Sequence, residues 1–294
     1  MTSVAVIAHR GKSLGGGLEE LREVLGHQGV DDPLWYEVKK SKEAPKAVRE
    51  ALDAGADLLF VWGGDGMLQR CIDASAGSGA SIAILPAGTA NLLAKNLDVP
   101  SQIEAAVEIG LHGMRRALDV GVINGERFAV MAGTGLDALM IRDMGSGLKD
   151  RVGKVGYVWT GARHLRDQRV RLKVRVDGEP WFKGKASCVL FGNVGTVLGG
   201  VTLFRDARPD DGKLEIGLVT AKSALEWGRA LGRTLIGEPD SSPFVEIASG
   251  RAFDVRLKKE RPYELDGGDR KPTERLRVRV EEAAVTVCVG GASP

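Results

Sequence analysis

Residues 57–67 read DLLFVWGGDGM, an apolar run that ends in a cluster of glycines around one aspartate. The run Asp57–Trp62 is continuously apolar from its second residue, which is typical of a strand buried on both faces of a sheet. The segment Gly63–Met67 follows as a turn, and a helix is predicted from about Met67. A strand that passes through a glycine turn into a helix is typical of open α/β sheets, which bind ligands at the carboxyl ends of their strands.

The same order of strand and helix recurs on both sides of this stretch. The predicted strands are Val4–Ala8, Trp35–Val38, Asp57–Trp62 and Ser81–Leu85; the predicted helices are Leu18–Leu25, Ala44–Ala54, one from about Met67, Thr89–Leu97, and one opened by a capping box at Ser101–Glu104. This alternation implies a parallel sheet with helices on both faces.

The second half of the chain has a different periodicity. Residues 169–176 and 275–280 alternate basic and aliphatic side chains, as expected for strands with one buried face. Further strands are predicted at 186–191, 214–219 and 253–258, and helices at 152–165 and 223–236. We therefore predict an α/β domain with a parallel sheet over residues 1–118 and an antiparallel β-sandwich domain over residues 119–294.

Composition indicates a globular protein, with 43% hydrophobic and 27% charged residues. The charge is uneven: residues 1–150 contain 15 Lys and Arg against 20 Asp and Glu, and residues 151–294 contain 26 against 19. A basic second half suits an anionic surface such as phospholipid head groups, and an ordinary solvated distribution remains an equal alternative. Three scattered cysteines favour neither a disulfide framework nor a zinc site, and they fit a reducing cytoplasm. No apolar run has the length of a signal peptide or a membrane-spanning helix.

Two loops are candidates for phosphate binding. The glycines of Gly63–Met67 would let backbone N–H groups approach a phosphate at a helix N-terminus. Asp65 is predicted to be catalytic, because it would hold Mg²⁺ or orient bound groups. A second loop, Pro86–Asn91, ends the next predicted strand and offers the Gly88 backbone and the Thr89 hydroxyl. The simpler alternatives are a tight turn with a capping Asp65 and a helix N-cap at Thr89. Because both loops follow parallel strands, we expect them to lie side by side on one sheet edge.

These motifs resemble the catalytic domain shared by diacylglycerol kinases, sphingosine kinases and their bacterial lipid kinase relatives. The resemblance is carried by the GGDG at 63–66 and by LPAGTANLLAKNL at 85–97. It continues through FGN at 191–193, DARPDDGKL at 206–214 and LDGGD at 265–269, and so spans nearly the full chain. GGDG alone also occurs in NAD kinases and phosphofructokinases, and the later segments favour lipid kinases.

The resemblance implies roles for individual residues. The residues implied in ATP binding are Lys12, Gly63, Gly64, Asp65, Gly66, Met67, Gln69, Gly88 and Thr89. The Asp211 side chain, with the carbonyls of Arg208 and Lys213, would form a structural Mg²⁺ site, although the segment also reads as a plain acidic turn. Three positions depart from the family pattern: Met67 replaces a threonine, Leu92 replaces an aspartate, and Gly268 stands where the glutamate of a DGE motif acts as general base. A carboxylate must then be supplied by Asp269, which we favour, or by Asp266.

The sequence therefore predicts an ATP- and Mg²⁺-dependent lipid kinase, with diacylglycerol as the expected acceptor and phosphatidic acid as the product. We expect a cytoplasmic enzyme that associates peripherally with a membrane surface to reach its lipid, allow for a homodimer, and expect no nucleic-acid partner. The alternatives are an NAD kinase-like enzyme with a soluble substrate and a catalytically impaired relative that binds nucleotide or lipid.

Overall fold

The computed structural model describes residues 3–135, 169–197, 201–223, 226, 229–230 and 242–291. The chain forms two compact units, one of residues 1–120 with 281–294 and the other of residues 121–280. Two strands, Met114–Ile123 and Gly268–Val289, run from one unit into the other. The predicted helices at 152–165 and 223–236 lie outside or largely outside the described residues.

The first unit is built on a parallel sheet. Its strands are β1 (Val4–His9), β2 (Leu34–Val38), β3 (Leu58–Gly63) and β4 (Ser81–Pro86), and its helices are α1 (Leu18–His27), α2 (Ala44–Asp53, after a 3-10 turn at Ser41–Glu43), α3 (Asp65–Ser75), α4 (Leu92–Asn96) and α5 (Ile103–His112). The strand order is β4-β3-β1-β2, with every neighbouring pair parallel. Every residue of β3 is buried, which explains why its sequence is uniformly apolar. The predicted parallel α/β sheet is confirmed.

Two helix starts differ from the prediction. The helix predicted over Thr89–Leu97 begins at Leu92, because Asn91 before it has left-handed backbone angles (φ 49°, ψ 53°). The capping box at Ser101–Glu104 does not form: the N-cap of α5 is Gln102, and no side chain caps the helix there. Neither Thr89 nor Ser101 is therefore a helix N-cap.

The second unit is antiparallel. The remaining strands of the chain are β5 (Met114–Ile123), β6 (Glu126–Phe128), β7 (Met131–Thr134), β8 (Val170–Val176), β9 (Glu179–Ala186), β10 (Cys188–Gly192), β11 (Thr196–Val197), β12 (Val201–Thr202), β13 (Leu214–Val219), β14 (Val245–Gly250), β15 (Ala252–Leu265) and β16 (Gly268–Val289). The main order is β14-β13-β10-β7-β15-β16, and β8 pairs with β15 on one side and with β9 on the other. Alternate residues of these strands form one buried cluster, in which the rings of Phe191 and Phe253 lie 5.4 Å apart. The predicted β-sandwich type of domain is confirmed.

The end of the chain returns to the first unit. Thr286 and Val287 of β16 pair in parallel with Ser81 and Ile82 of β4. Residues 281–294 are thus grouped with the parallel sheet, whereas the predicted second domain extended over all of residues 119–294. Within the described residues, no helix combines the length and the apolar character needed to cross a membrane.

Candidate active site

The first glycine loop joins β3 directly to α3. Gly64 is the N-cap of α3 and has extended backbone angles (φ −99°, ψ −175°). The N–H groups of Met67 and Leu68 both donate to the Gly64 carbonyl, at 2.9 and 3.0 Å. A Cβ added at Gly63 would lie 2.6 Å from the Met67 Cβ, so the start of the helix leaves no room for a side chain there. The positive end of α3 is therefore presented at the carboxyl end of the strand.

The second loop, Pro86–Asn91, is organised by the side chain of Asn91. Its Nδ2 donates to the carbonyls of Pro86 and Gly88, at 2.8 and 2.9 Å, and its Oδ1 accepts from the Gly88 N–H at 2.9 Å. Three hydrogen bonds from one amide hold the loop in a fixed shape. The left-handed conformation of Asn91 is one that asparagine tolerates better than most residues.

The two loops touch through their glycines, which confirms the expectation that they lie side by side. Gly63 and Pro86 are paired residues at the ends of β3 and β4. A Cβ added at Gly64 would lie 3.0 Å from the Gly88 Cα, and one added at Gly88 would overlap the Gly64 Cα. Both positions therefore require glycine because two main chains meet there.

The carboxylate of Asp65 connects the first loop to the helix after the second. Its Oδ1 accepts hydrogen bonds from the N–H groups of Leu92 at 2.6 Å and Leu93 at 3.4 Å. Since these are the first residues of α4, Asp65 caps that helix from another segment of the chain. Burial raises the pKa of the Asp65 carboxyl group, and the backbone N–H donors, with that of Leu92 first, oppose the rise. Capping by Asp65 is the alternative that the sequence left open. Asp65 caps α4, however, and not α3, the helix in which it lies.

A third loop, after β1, lies next to the first because β1 pairs with β3. The indole Nε1 of the fully buried Trp62 donates to the Lys12 carbonyl at 3.2 Å, and the Lys12 N–H donates to the His9 carbonyl at 3.1 Å. The Lys12 side chain itself is exposed. The structure thus brings Lys12 to the same edge of the sheet as the two glycine loops.

The side chains predicted to bind nucleotide fall into two groups. Lys12 and Thr89 are exposed. Met67 and Gln69 are buried, at 2% and 4% exposure, and the Met67 N–H is already bonded to Gly64. Met67 therefore supports the first loop from beneath and does not present its side chain at the surface of the site.

In the second unit, the LDGGD segment forms a tight hairpin between β15 and β16. Leu265 pairs with Gly268, so only Asp266 and Gly267 remain in the turn. Both have positive φ, 42° and 80°, which defines a two-residue turn of type I′ and explains the Asp-Gly sequence.

The carboxylate of Asp266 is buried and used within the fold. Its Oδ2 accepts from the Ala129 N–H at 2.8 Å, and its Oδ1 accepts from Val130 at 3.0 Å and Met131 at 2.9 Å. The Asp266 N–H returns a bond to the Met131 carbonyl at 2.9 Å. Asp266, at 6% exposure, therefore clamps the segment before β7 to the hairpin.

Asp269 differs from Asp266 in both exposure and position. It is exposed, and it pairs across the hairpin with Glu264. Side chains of directly paired residues lie on the same face, so these two carboxyl-bearing residues share one face of the hairpin. Leu265 and Gly268 share the other face.

Gly268 stands where the family pattern has a glutamate, and the side chain of Arg270 lies over it. A Cβ added at Gly268 would lie 2.9 Å from Nη1 of Arg270, and this nitrogen donates to the carbonyls of Gly268 and Asp269, both at 3.1 Å. The Arg270 Nε donates to both carboxylate oxygens of Glu126, at 2.9 and 2.8 Å, and the two side chains form an ion pair at 2.8 Å. Arg270 thus ties the carbonyls on either side of the Asp269 Cα to Glu126 of β6.

The candidate metal turn carries a cluster of acidic groups. The Asp211 Oδ1 accepts from the Lys213 N–H at 3.0 Å, and Arg208 is exposed in the same turn. Asp211 lines a cavity of about 550 Å³ with Asp206 and Glu215. Burial, followed by the negative charges of Asp211 and Asp206, raises the pKa of Glu215 to about 7. Among the described residues, no three His, Cys, Asp or Glu side chains are arranged to hold a metal ion, so carbonyl oxygens would have to complete any site.

Sequence reasoning missed two features of these sites. The role of Asn91 had a local signal, since asparagine after a glycine turn favours left-handed backbone. The Arg270–Glu126 pair had none, because the partners are 144 residues apart and meet only through strand pairing.

Two family models together cover almost all of the chain. Residues 8–123 match the diacylglycerol kinase catalytic domain. Residues 130–289 match the YegS C-terminal NAD kinase beta sandwich-like domain.

Relatives of known name agree with these matches. The chain is 31% identical to a Pseudomonas fluorescens protein named "Probable lipid kinase YegS-like", over 82% of this chain and 83% of the relative. It is 27% identical to a diacylglycerol kinase of Staphylococcus saprophyticus, over 79% and 77%.

Solved structures show the same fold at lower identity. A diacylglycerol kinase from Bacillus anthracis superposes with a TM-score of 0.77 at 20% identity, covering 99% of this chain and 97% of that one. An NAD kinase from Archaeoglobus fulgidus in complex with ATP has a TM-score of 0.52 at 11% identity, covering 98% and 93%.

Proposed function

Because the chain belongs to the family defined by the diacylglycerol kinase catalytic domain and the YegS-type C-terminal domain, it is a kinase-family protein, and we propose that it phosphorylates a lipid hydroxyl with ATP. Diacylglycerol is the acceptor that we propose, and phosphatidic acid the product. We further propose that the enzyme works from the cytoplasm at a membrane surface.

The observation that carries this proposal is the contact between the two glycine loops. Gly64 and Gly88 meet main chain to main chain at neighbouring strand ends, so backbone N–H groups and a helix N-terminus are brought together without intervening side chains. Such an arrangement suits a polyphosphate, because it supplies oriented donors and a positive dipole end. We assign the ATP phosphates to the backbone of Gly63, Gly64 and Gly66, with the exposed Thr89 hydroxyl and Lys12 ammonium as side-chain contacts. Gly88, whose own N–H donates to Asn91, contributes by letting the second loop meet the first.

Asp65 has a positioning role in this proposal. Its Oδ1 is committed to the start of α4, so the carboxylate holds the second loop against the first. We therefore propose that Asp65 shapes the phosphate site through α4. Met67, whose side chain lies against Gly63, supports the same loop from below, and Gln69 is buried in α3.

The acceptor hydroxyl needs a group that takes its proton as it attacks the γ-phosphorus. In the proposed step the lipid oxygen forms a bond to phosphorus, the bond to the β-γ bridging oxygen breaks, ADP leaves, and the hydroxyl proton passes to a carboxylate. Asp266 is a poor candidate because backbone donors occupy both of its oxygens. Asp269 is exposed and Arg270 holds its backbone, and we assign it as the general base.

Mg²⁺ fits the acidic turn of the second unit. The donors there are oxygens, which Mg²⁺ prefers, and burial, followed by the negative charges of Asp211 and Asp206, raises the pKa of the neighbouring Glu215 to about 7. We propose that the Asp211 carboxylate and the carbonyls of Arg208 and Lys213 hold the ion. Its contribution would be to neutralise the carboxylates and stabilise the turn.

The test is phosphoryl transfer from labelled ATP with three acceptors in parallel: diacylglycerol in mixed vesicles, NAD, and a total lipid extract analysed by mass spectrometry. Phosphatidic acid formation that is lost in Asp269→Asn would support the proposal. Another phosphorylated lipid would retain the lipid kinase and correct the acceptor. NADP formation would overturn the proposal in favour of the soluble-substrate enzyme. ATP binding without product from any of the three acceptors would overturn it in favour of the impaired relative.

A further inference from the structure

Four strands of the second unit form a sheet whose two faces differ sharply in chemistry. The order of these strands is β9-β8-β15-β16, all antiparallel. One face belongs to the hydrophobic core, where the paired residues include Val174, Val255 and Leu276. The opposite face carries the residues between them, and most of these are basic.

Strand register places four cations in one row across this sheet. Lys183 pairs with Lys173, Lys173 pairs with Arg256, and Arg256 pairs with Arg275. Directly paired side chains have Cβ atoms only about 5 Å apart, and like charges in such pairs destabilise a sheet. A row of four like charges therefore does not stabilise the fold, and its presence needs another explanation.

The adjacent rows extend the same charge. Arg171 pairs with Lys185, and Arg175 and Arg277 lie on either side of Asp254. We call the outward residues of these rows the cationic face; its basic members are Arg171, Lys173, Arg175, Lys183, Lys185, Arg256, Arg275, Arg277 and Arg279. Of these nine, eight are exposed and Arg275 is partly exposed.

Among the outward residues of these rows that the structure describes, Asp254 is the one that carries a carboxylate. Asp177 lies just beyond them in the turn after β8, where its Oδ1 accepts from the N–H groups of Arg251 and Ala252. Asp254 accepts from Arg275 Nε at 2.6 Å and Nη2 at 2.9 Å, and from Arg256 Nε at 3.2 Å. Among the residues that the structure describes, neither Lys173 nor Lys183 has a carboxylate within ion-pair distance. The face thus retains a large excess of positive charge at its centre.

We propose that the cationic face binds the surface of a bilayer that contains anionic phospholipids. The complementary partner must present many negative charges in one plane, as phospholipid head groups do. A membrane is also where the lipid acceptor of the proposed kinase would be found, and the choice of partner rests on that proposed function.

Nucleic acid is the competing polyanion, and the face suits it less well. Grooves of duplexes are entered by a helix or a two-stranded ribbon, whereas here the charge is spread over four strands. Single strands are usually held by aromatic side chains, and the outward positions of the paired rows contain none. A broad array of long, flexible cations matches a head-group layer.

The test is sedimentation of the full chain with phosphatidylcholine vesicles that contain or lack phosphatidylglycerol. We expect binding only with phosphatidylglycerol, and a strong loss on raising the salt concentration. The double variant Lys173→Gln/Lys183→Gln should weaken this binding roughly 25-fold, since each lysine near an anionic surface contributes a factor of about five. Thermal unfolding should show the variant at least as stable as the wild type, because a like-charge pair is removed.

A matched control is Lys40→Gln/Lys42→Gln, which makes the same change of charge at two exposed lysines of the first unit. Equal loss of binding in this control would overturn the proposal, as would equal binding to vesicles without phosphatidylglycerol. Tighter binding to duplex DNA that also displaces vesicles would overturn it in favour of nucleic acid. Vesicle binding is measured without turnover, so a failure of the kinase proposal would show separately, as absent phosphorylation of a short-chain diacylglycerol dissolved in detergent.

Discussion

Asp65 in the first unit and Asp266 in the second occupy similar sequence contexts, since each stands beside glycine at the end of a strand and each was predicted to be catalytic. In both, the carboxylate accepts hydrogen bonds from backbone N–H groups of a different segment. The difference lies in what is held. Asp65 holds the start of a helix beside two touching glycines, whereas Asp266 holds three successive residues at the bend that leads into β7. An aspartate in a glycine motif can therefore fix the shape of the backbone around a loop through hydrogen bonds to another segment.

The largest expected effect separates Asp266 from its neighbour Asp269. Asp269→Asn should lower the rate of lipid phosphorylation by about 100-fold to 10,000-fold, because the proposed proton acceptor is lost, and should leave the free energy of unfolding unchanged. Asp266→Asn should instead lower that free energy by about 3 kcal/mol, because an amide cannot accept all three hydrogen bonds of a buried carboxylate. Urea unfolding and initial rates, measured on both variants, provide the comparison. If Asp269→Asn retained full activity while folded, the general base would have to be sought elsewhere.

The next effect concerns the contact between the glycine loops. In Gly88→Ala the new methyl group would overlap the Gly64 Cα and would lie 2.6 Å from the Asn91 Oδ1. Moving either loop displaces the backbone donors, so we expect ATP affinity to fall on the order of 100-fold by calorimetry.

Gly26→Ala is the matched control for this change. Gly26 lies in α1, and a Cβ there would meet no atom within 4 Å. Alanine should stabilise the helix by up to about 1 kcal/mol and leave ATP binding intact. Normal ATP affinity in Gly88→Ala would show that the nucleotide lies elsewhere.

The parts of the molecule that could be predicted were those with local signals. The strands Leu58–Gly63 and Val170–Val176 were predicted from the apolar run and from the alternation of basic and aliphatic residues, and the contact of the two loops followed from parallel strand order. The cap of α4 by Asp65 could not be predicted in the same way, because its partner is 27 residues away and depends on the loop packing. The same holds for Asp266, whose partners are more than 130 residues distant.

A smaller effect tests how burial acts on Asp65. Burial raises the pKa of this carboxyl group in the folded protein, so folding favours its protonated form. The resulting stabilisation is complete below the ordinary pKa of about 4 and is lost as the pH rises through the raised value. Asp65→Asn keeps an acceptor oxygen but cannot ionise. The wild type should therefore gain stability relative to this variant as the pH falls, by about 1.4 kcal/mol for each unit by which the pKa is raised.

The smallest effect should have the opposite sign, at Asp254 in the second unit. The hydrogen bonds from Arg275 lower the pKa of its carboxyl group, so its stabilisation is present above the ordinary pKa and is lost as the pH falls through the lowered value. Asp254→Asn should lower the free energy of unfolding by about 1 kcal/mol near neutral pH, since the carboxylate is only 22% exposed and its Arg275 contact is bidentate. In acid the loss of stability should be smaller. The same variant adds one positive charge to the cationic face, so vesicle binding should tighten while stability falls. A parallel loss of stability and of vesicle binding would mean that Asp254 orders the arginines for the membrane, and the charge of the face alone would no longer account for its binding.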